Sequence, residues 1–351
     1  MRKPFLDNLR YSIVLLVIVY HVCYLLNSVG LITNVVIPGI PAMDVVEFVL
    51  YPWFMVAMFM ISGICARYSL QKQTNKQFLK SKVRRQLVPS IAIIFLYGWT
   101  VGWVSNQYTD MFAGGATPGI MKYMIYCMMG TGVLWFVQEL LLADVVLVLI
   151  RKIDKKERLL KLGGKANLAV LCLMVFALWG SAQILNTPLI ECYRHGIYIF
   201  AFLVGYFVFS HDHIQELLAK WAPVLLAVSG VLAVAYTVAN WGVNYAATAN
   251  LKPFLVNAYV WFACLAVLGA GKRWLNKETK FTRYMAGRSF GFYVMHYPLM
   301  VFAAYVMDQK LHLPSWSLYI LLPALMVVAL PPLVVVVKKI PVLRTLVLGE
   351  K

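Results

Sequence analysis

The chain has 351 residues, 62% hydrophobic and only 13% charged, with 32 basic side chains against 14 acidic ones for a formal net charge of +18. Soluble domains average about 25% charged residues, and a mean hydropathy of +0.75 leaves too little polar surface to face water. A soluble basic protein that binds nucleic acid is therefore excluded, and the chain reads as an all-α integral membrane protein whose charge needs a topological explanation first.

Arg2, Lys3 and Arg10 precede an apolar stretch over about 12–32. It is too long for a signal-peptide core and lacks a small-residue cleavage site, so it reads as a retained first span. Further spans fall near 45–64, 88–105, 123–150, 168–185, 194–210, 222–240, 254–270, 289–307 and 316–337, about ten transmembrane helices in all. The fourth is overlong, and its membrane part is expected from Gly132 to Ile150. Ten spans and short loops use nearly the whole chain, which implies a single membrane domain over 1–351 with no appended soluble domain. Counted over alternate loops, 28 cations share the side of the N-terminus and only Lys122, Arg194, Lys252 and Lys310 fall on the other. Both termini are therefore expected in the cytoplasm. In the loop from Lys76 to Leu87, cations recur at 76, 80 and 84 beside Leu79, Val83 and Leu87. That pattern predicts a basic amphipathic helix at the cytoplasmic interface, ended by Pro89, which either anchors lipid headgroups or meets a polyanion. Cys23, Cys65, Cys127, Cys172, Cys192 and Cys264 form no Cys-x-x-Cys pair and no metal-spaced cluster with histidine, so they read as small buried hydrophobes, and no metal site is expected.

Ionisable groups inside a membrane are functional candidates by default. His21 lies about ten residues into the expected first span, roughly 14 Å deep at 1.5 Å per residue. Arg10 is eleven positions earlier and returns to within about 20° of the same face. One helix face thus offers a cation at the rim and an imidazole deeper in. Glu139 and Asp144 in the fourth span are five positions apart and point to different faces, which leaves at most one of them to orient His21 as a carboxylate partner. His296 stands beside Pro298, which removes a helix donor and frees the carbonyl of Val294, and it reads as a group that satisfies local backbone or a helix contact. These parts suit transfer of a group from an anionic cytoplasmic donor to an acceptor across the membrane, with His21 as general base or as covalent carrier. They suit equally a proton-coupled transporter or exporter of a small anion.

Phe5-Leu-Asp7-Asn-Leu-Arg10, followed by Val-Ile-Val-Tyr-His21, resembles the opening signature of the acyltransferase 3 family of membrane O-acyltransferases. Met58-Phe59-Met-Ile-Ser62-Gly63, Arg85-Gln-Leu-Val-Pro89, Leu134-Trp-Phe and Phe292-Tyr-Val-Met-His296-Tyr-Pro298 follow in that family's order. The segment from Ile340-Pro-Val-Leu-Arg344 to Gly349 is similar to the glucan biosynthesis protein C branch. The resemblance implies ten helices with cytoplasmic termini in a bacterial plasma membrane, acyl-CoA as co-substrate with no permanently bound cofactor, and a hydroxyl acceptor, usually an envelope glycan. It implies acetyl as the general acyl group and succinyl from the closest branch. His21 matches the family's essential histidine and Arg10 its paired arginine; Glu139, a further catalytic candidate, comes from its place in the fourth span rather than from the family's motifs. Arg67, Lys82, Arg84 and Arg85 are the candidates for the phosphates of CoA. Two positions depart from the pattern. Lys82 stands where the family has the first arginine of Arg-x-x-Arg, and Tyr51-Pro-Trp-Phe54 stands where the glucan branch has a histidine and an arginine.

Overall fold

In hydrocarbon, backbone N–H and C=O groups must be bonded within the protein, and an apolar segment meets that demand by becoming a helix. A computed structural model describes residues 3–115, 117–185 and 194–350, so Arg2 and Cys192 lie outside the described residues. Every regular element among those described is helical. Among the described residues, eight helices are long and apolar enough to cross a membrane: Pro4–Leu25, Pro41–Leu70, Asn75–Thr109, Gly132–Ile153, Asp212–Asn240, Phe254–Trp274, Ser289–Lys310 and Ser315–Lys339. The expected fifth and sixth spans are shorter apolar helices, Leu168–Ser181 and His195–Phe209. Each is roughly 21–22 Å long at 1.5 Å per residue, against a hydrocarbon core of ~30 Å.

Three expectations are corrected or sharpened. The first helix begins at Pro4 and ends at Leu25, so His21 stands one turn from its C-terminal end rather than at the middle of a span. Hydropathy placed the span late because Leu31 and Ile32 are apolar, although they belong to an irregular loop. Pro89 does not end the basic helix. Asn75–Lys82 passes into a wider π-turn over Val83–Leu87 and continues as Val88–Ile93. The missing N–H of Pro89 is absorbed where the hydrogen-bond ladder changes register. The fourth span does start at Gly132, after a separate helix Gly119–Met129.

The helices group into two compact units. One comprises Met1–Ile13, Phe48–Val83 and Glu139–Gly287. Within it, Asn8 Nδ2 donates to the carbonyls of Leu275 (2.6 Å) and Lys277 (2.8 Å), tying the first turns of Pro4–Leu25 to the end of Phe254–Trp274. Trp261 Nε1 donates to the Leu171 carbonyl at 2.7 Å, and the rings of Phe59 and Tyr198 stack at 4.8 Å. Gly63 and Gly205 allow backbone to meet backbone. A methyl group on Gly63 would overlap the carbonyl of Phe202, and one on Gly205 the carbonyl of Met60. The Ser62-Gly63 signature thus marks a close helix crossing.

The second unit comprises Val14–Glu47, Arg84–Gln138 and Arg288–Lys351. Trp99–Thr109 packs on Gly119–Met129, and the C-terminal helix Pro341–Leu348 packs on Val88–Ile93. That helix ends at Gly349, whose φ of +62° brings the chain against the backbone of Arg84 and Arg85. The described cysteines are free thiols. Gly63→Ala is expected to destabilise the protein by ~1–3 kcal/mol through overpacking, read as a lower midpoint of thermal unfolding in detergent. Ser62→Ala, at a half-buried position, leaves that midpoint nearly unchanged.

Candidate functional site: a histidine pair at the end of the first helix

The last turn of Pro4–Leu25 carries Tyr20, His21 and Tyr24, and Ser289–Lys310 brings His296 to the same place in the second unit. Three backbone carbonyls settle where the protons sit. His21 Nδ1 lies 2.8 Å from the carbonyl of Val17, one turn back on its own helix. A carbonyl only accepts, so Nδ1 carries a proton and donates it. His296 Nδ1 donates in the same way to the carbonyls of Tyr293 (2.6 Å) and Phe292 (3.2 Å). His296 Nε2 therefore holds a lone pair, and it lies 3.2 Å from His21 Nδ1. The His21 Nδ1–H is shared between a carbonyl and a second imidazole, and Nε2 of His21 is left with the ring's remaining lone pair.

The surroundings hold this pair in place. The His21 ring packs against Tyr297 and Tyr20, each at 5.1 Å, and Tyr24 at 6.0 Å. Tyr297 donates to Asn34 Oδ1 at 2.6 Å, and Asn34 Nδ2 donates to Ser105 Oγ at 3.0 Å. The loop after the first helix is thereby folded back over the pair. Tyr319 secures its two ends, donating to the Leu26 carbonyl at 2.8 Å and accepting from the Ile40 N–H at 3.1 Å. The Ser28 N–H adds a bond to Asp44 Oδ1 at 3.2 Å. The carbonyl that Pro298 frees, that of Val294, accepts from Tyr97 Oη at 2.9 Å. His296 is completely buried. The sequence assigned it to local backbone, which it does satisfy, but its second nitrogen also faces His21.

The other candidates fall elsewhere. Glu139 Oε2 accepts from His195 Nδ1 at 2.9 Å in the first unit, so the carboxylate expected to orient His21 has a different imidazole partner. Asp144, fully buried, pairs with Lys82 Nζ at 3.1 Å. Lys82 thus neutralises an internal carboxylate and also lies 4.9 Å from the Phe78 ring. Arg67 and Arg151 each place their guanidinium 5.9 Å from the ring centre of Tyr206, and Arg151 Nη1 donates to its hydroxyl at 2.7 Å. A cavity of about 70 Å³ opens here, lined by Arg151, Lys155, Tyr206 and Asp154 among others. The N–H groups of Leu159 and Arg158 hold the Asp154 carboxyl below the usual carboxylate range. Arg10 is exposed, 4.0 Å from Asp7. Arg10, Arg67 and Lys82 belong to the first unit, whereas His21, Arg84 and Arg85 belong to the second. Sequence reasoning missed His195, because a histidine at the very start of a span looks like a loop residue.

Fold and site together define a multi-pass membrane protein with buried, histidine-centred polar sites between its helices. The profile of the acyltransferase domain family, acyltransferase 3, matches residues 3–337, nearly the whole chain, and the chain belongs to that family of membrane acyltransferases. Comparisons with curated proteins and with solved structures gave no match. Lys82→Met removes the ammonium from the fully buried Asp144 and is expected to destabilise the protein by ~3–5 kcal/mol. Lys82→Met combined with Asp144→Leu is expected to recover most of that loss, measured as detergent-resistant thermal unfolding.

Proposed function

We propose that this acyltransferase moves an acyl group, acetyl or succinyl, from acyl-CoA in the cytoplasm to a hydroxyl of an envelope glycan on the other side of a bacterial plasma membrane. The observation that carries this reading is the state of His21, an imidazole whose Nδ1 proton is engaged and whose Nε2 retains a lone pair. Nε2 takes the proton of the acceptor hydroxyl, whose oxygen attacks the thioester carbonyl. The carbon–sulfur bond breaks, the ester forms, and the proton passes to the departing CoA thiolate. His296 is a positioning residue, since it accepts from the face of His21 opposite the working nitrogen and holds that tautomer. With the 28-to-4 division of loop cations, the positive-inside rule supports cytoplasmic termini. Arg84 and Arg85, in the same unit as His21, are the groups proposed for the phosphates of CoA. Lys82 contributes mainly through Asp144.

His21→Ala is expected to lower acyl transfer by ~10²–10⁴-fold, the usual contribution of a positioned base, in a protein that still folds and inserts. The assay is release of free CoA by purified protein in proteoliposomes, together with mass spectrometry of envelope glycans from cells with and without the protein. Normal transfer by the variant, or solute movement without CoA release, would overturn the mechanism. Arg84→Ala with Arg85→Ala is expected to weaken acyl-CoA binding and flatten its salt dependence. Unchanged binding would return both residues to the role of topology signals.

A further inference from the structure

The cavity beside Tyr206 takes no part in the chemistry proposed for His21. It is built within the first unit, where the span Gly132–Ile153 ends and the short helix Arg158–Gly163 turns back onto the π-turn Gly205–Phe209. Gly163 lets that helix lie flush, since a methyl group there would overlap the Phe207 carbonyl. The space left is about 70 Å³, with Arg151, Lys155, Asp154, Glu157, Tyr206 and Phe207 in its wall. A water needs ~10–15 Å³ of such space, so the cavity has room for about five waters, or for one phosphate group with its four oxygens.

The wall is set up to donate. The Tyr206 hydroxyl accepts from Arg151 Nη1 at 2.7 Å, which leaves its own proton to give. Arg67 and Arg151 both place their guanidinium 5.9 Å from the centre of this buried ring. Among the described residues, Arg67, Arg151 and Lys155 make no ion pair with a carboxylate. Of the two carboxylates in the wall, Asp154 is committed: its oxygens accept from the N–H groups of Arg158 at 2.9 Å and Leu159 at 2.8 Å. Glu157 is exposed, with a φ of +52° just before the helix begins.

Cations gathered around one pocket repel, and an oxyanion that accepts from all of them at once reverses the sign of that term. We propose that Arg151, Lys155 and the Tyr206 hydroxyl bind a phosphate monoester, with Arg67 holding the Tyr206 ring and adding charge behind it. A monoester carries a charge of about −1.5 to −2 at neutral pH, which the two cations of the wall match. A carboxylate or a chloride brings less charge and fills less of the space. The count of loop cations supports a cytoplasmic place for this end of the span. The phosphate then comes from a soluble ester, of the kind that ends a nucleotide, or from the headgroup of an anionic lipid. The inference rests on no step of the acyl transfer, and its test reads binding without turnover.

The experiment is thermal unfolding of the purified full-length protein in detergent at matched ionic strength. The probes are inorganic phosphate, adenosine 3′-monophosphate and short-chain phosphatidic acid, against acetate, chloride and short-chain phosphatidylcholine. The monoester probes are expected to raise the unfolding midpoint saturably, and the controls are not. Lys155→Gln changes an exposed side chain and Tyr206→Phe keeps the ring; each is expected to weaken phosphate binding about threefold to tenfold. Arg151→Gln is expected to abolish binding, and the other two variants carry the test should it fail to fold. Glu157→Gln removes a competing negative charge and is expected to tighten binding about threefold. Arg84→Ala with Arg85→Ala is expected to leave the response in place, which separates this site from the one proposed for CoA. A response to the soluble probes assigns a free phosphate ester, and one confined to phosphatidic acid assigns a lipid headgroup. No response beyond that to acetate and chloride, a response undiminished in Lys155→Gln and Tyr206→Phe, or one lost with Arg84 and Arg85 would overturn the assignment.

Discussion

The structure depends on one constraint: a polar group removed from water inside an apolar bundle must find its partner within the protein. Three ionisable side chains of the spans illustrate it. Asp144 has the ammonium of Lys82, Glu139 has the imidazole of His195, and His21 has a helix carbonyl and His296. Even the carbonyl released by Pro298 is taken up by the hydroxyl of Tyr97. These contacts hold the helices in register, and they also decide which atom of each histidine carries a proton. In water that choice would be free; here the acceptors around the ring make it.

The same constraint separates structural from chemical roles. Lys82 and Asp144 complete each other, so their loss is felt in stability. His21 is different, because its interactions consume only Nδ1 and leave a lone pair on the other nitrogen. The folded-back loop over the pair, pinned by Tyr297, Asn34 and Tyr319, fixes the ring without occupying that nitrogen. The proposed acyl transfer would use this combination: a base held rigidly, in one tautomer, with its basic atom unclaimed.

Much of this was legible in the chain. Hydropathy located ten apolar segments, and the ordered motifs identified the family that the profile match then established. What was not legible was relational. Hydropathy sees apolar loop residues such as Leu31 and Ile32 as span, and so it displaced His21 from the helix end toward the middle. Proline rules predicted a stop at Pro89, but a π-turn just before it lets the helix continue. Carboxylates in the fourth span were natural partners for His21, yet partner choice depends on which helices cross where. Glu139 therefore met His195, while the partner of His21 was the histidine of the Tyr-x-x-His motif beside Pro298. Arg194 was counted as a loop cation, although the fold buries it, because its own sequence neighbours give no clue to that burial.

The central claim, that His21 is held as the Nδ1–H tautomer with an unclaimed Nε2, is tested most directly by nitrogen-15 NMR of histidine-labelled protein in lipid, with His21 assigned by its loss in His21→Gln. The account predicts a protonated-type shift for Nδ1 and an unprotonated-type shift for Nε2, with the Nδ1 resonance perturbed in His296→Phe. An Nε2–H tautomer for His21, or a spectrum indifferent to His296, would contradict it.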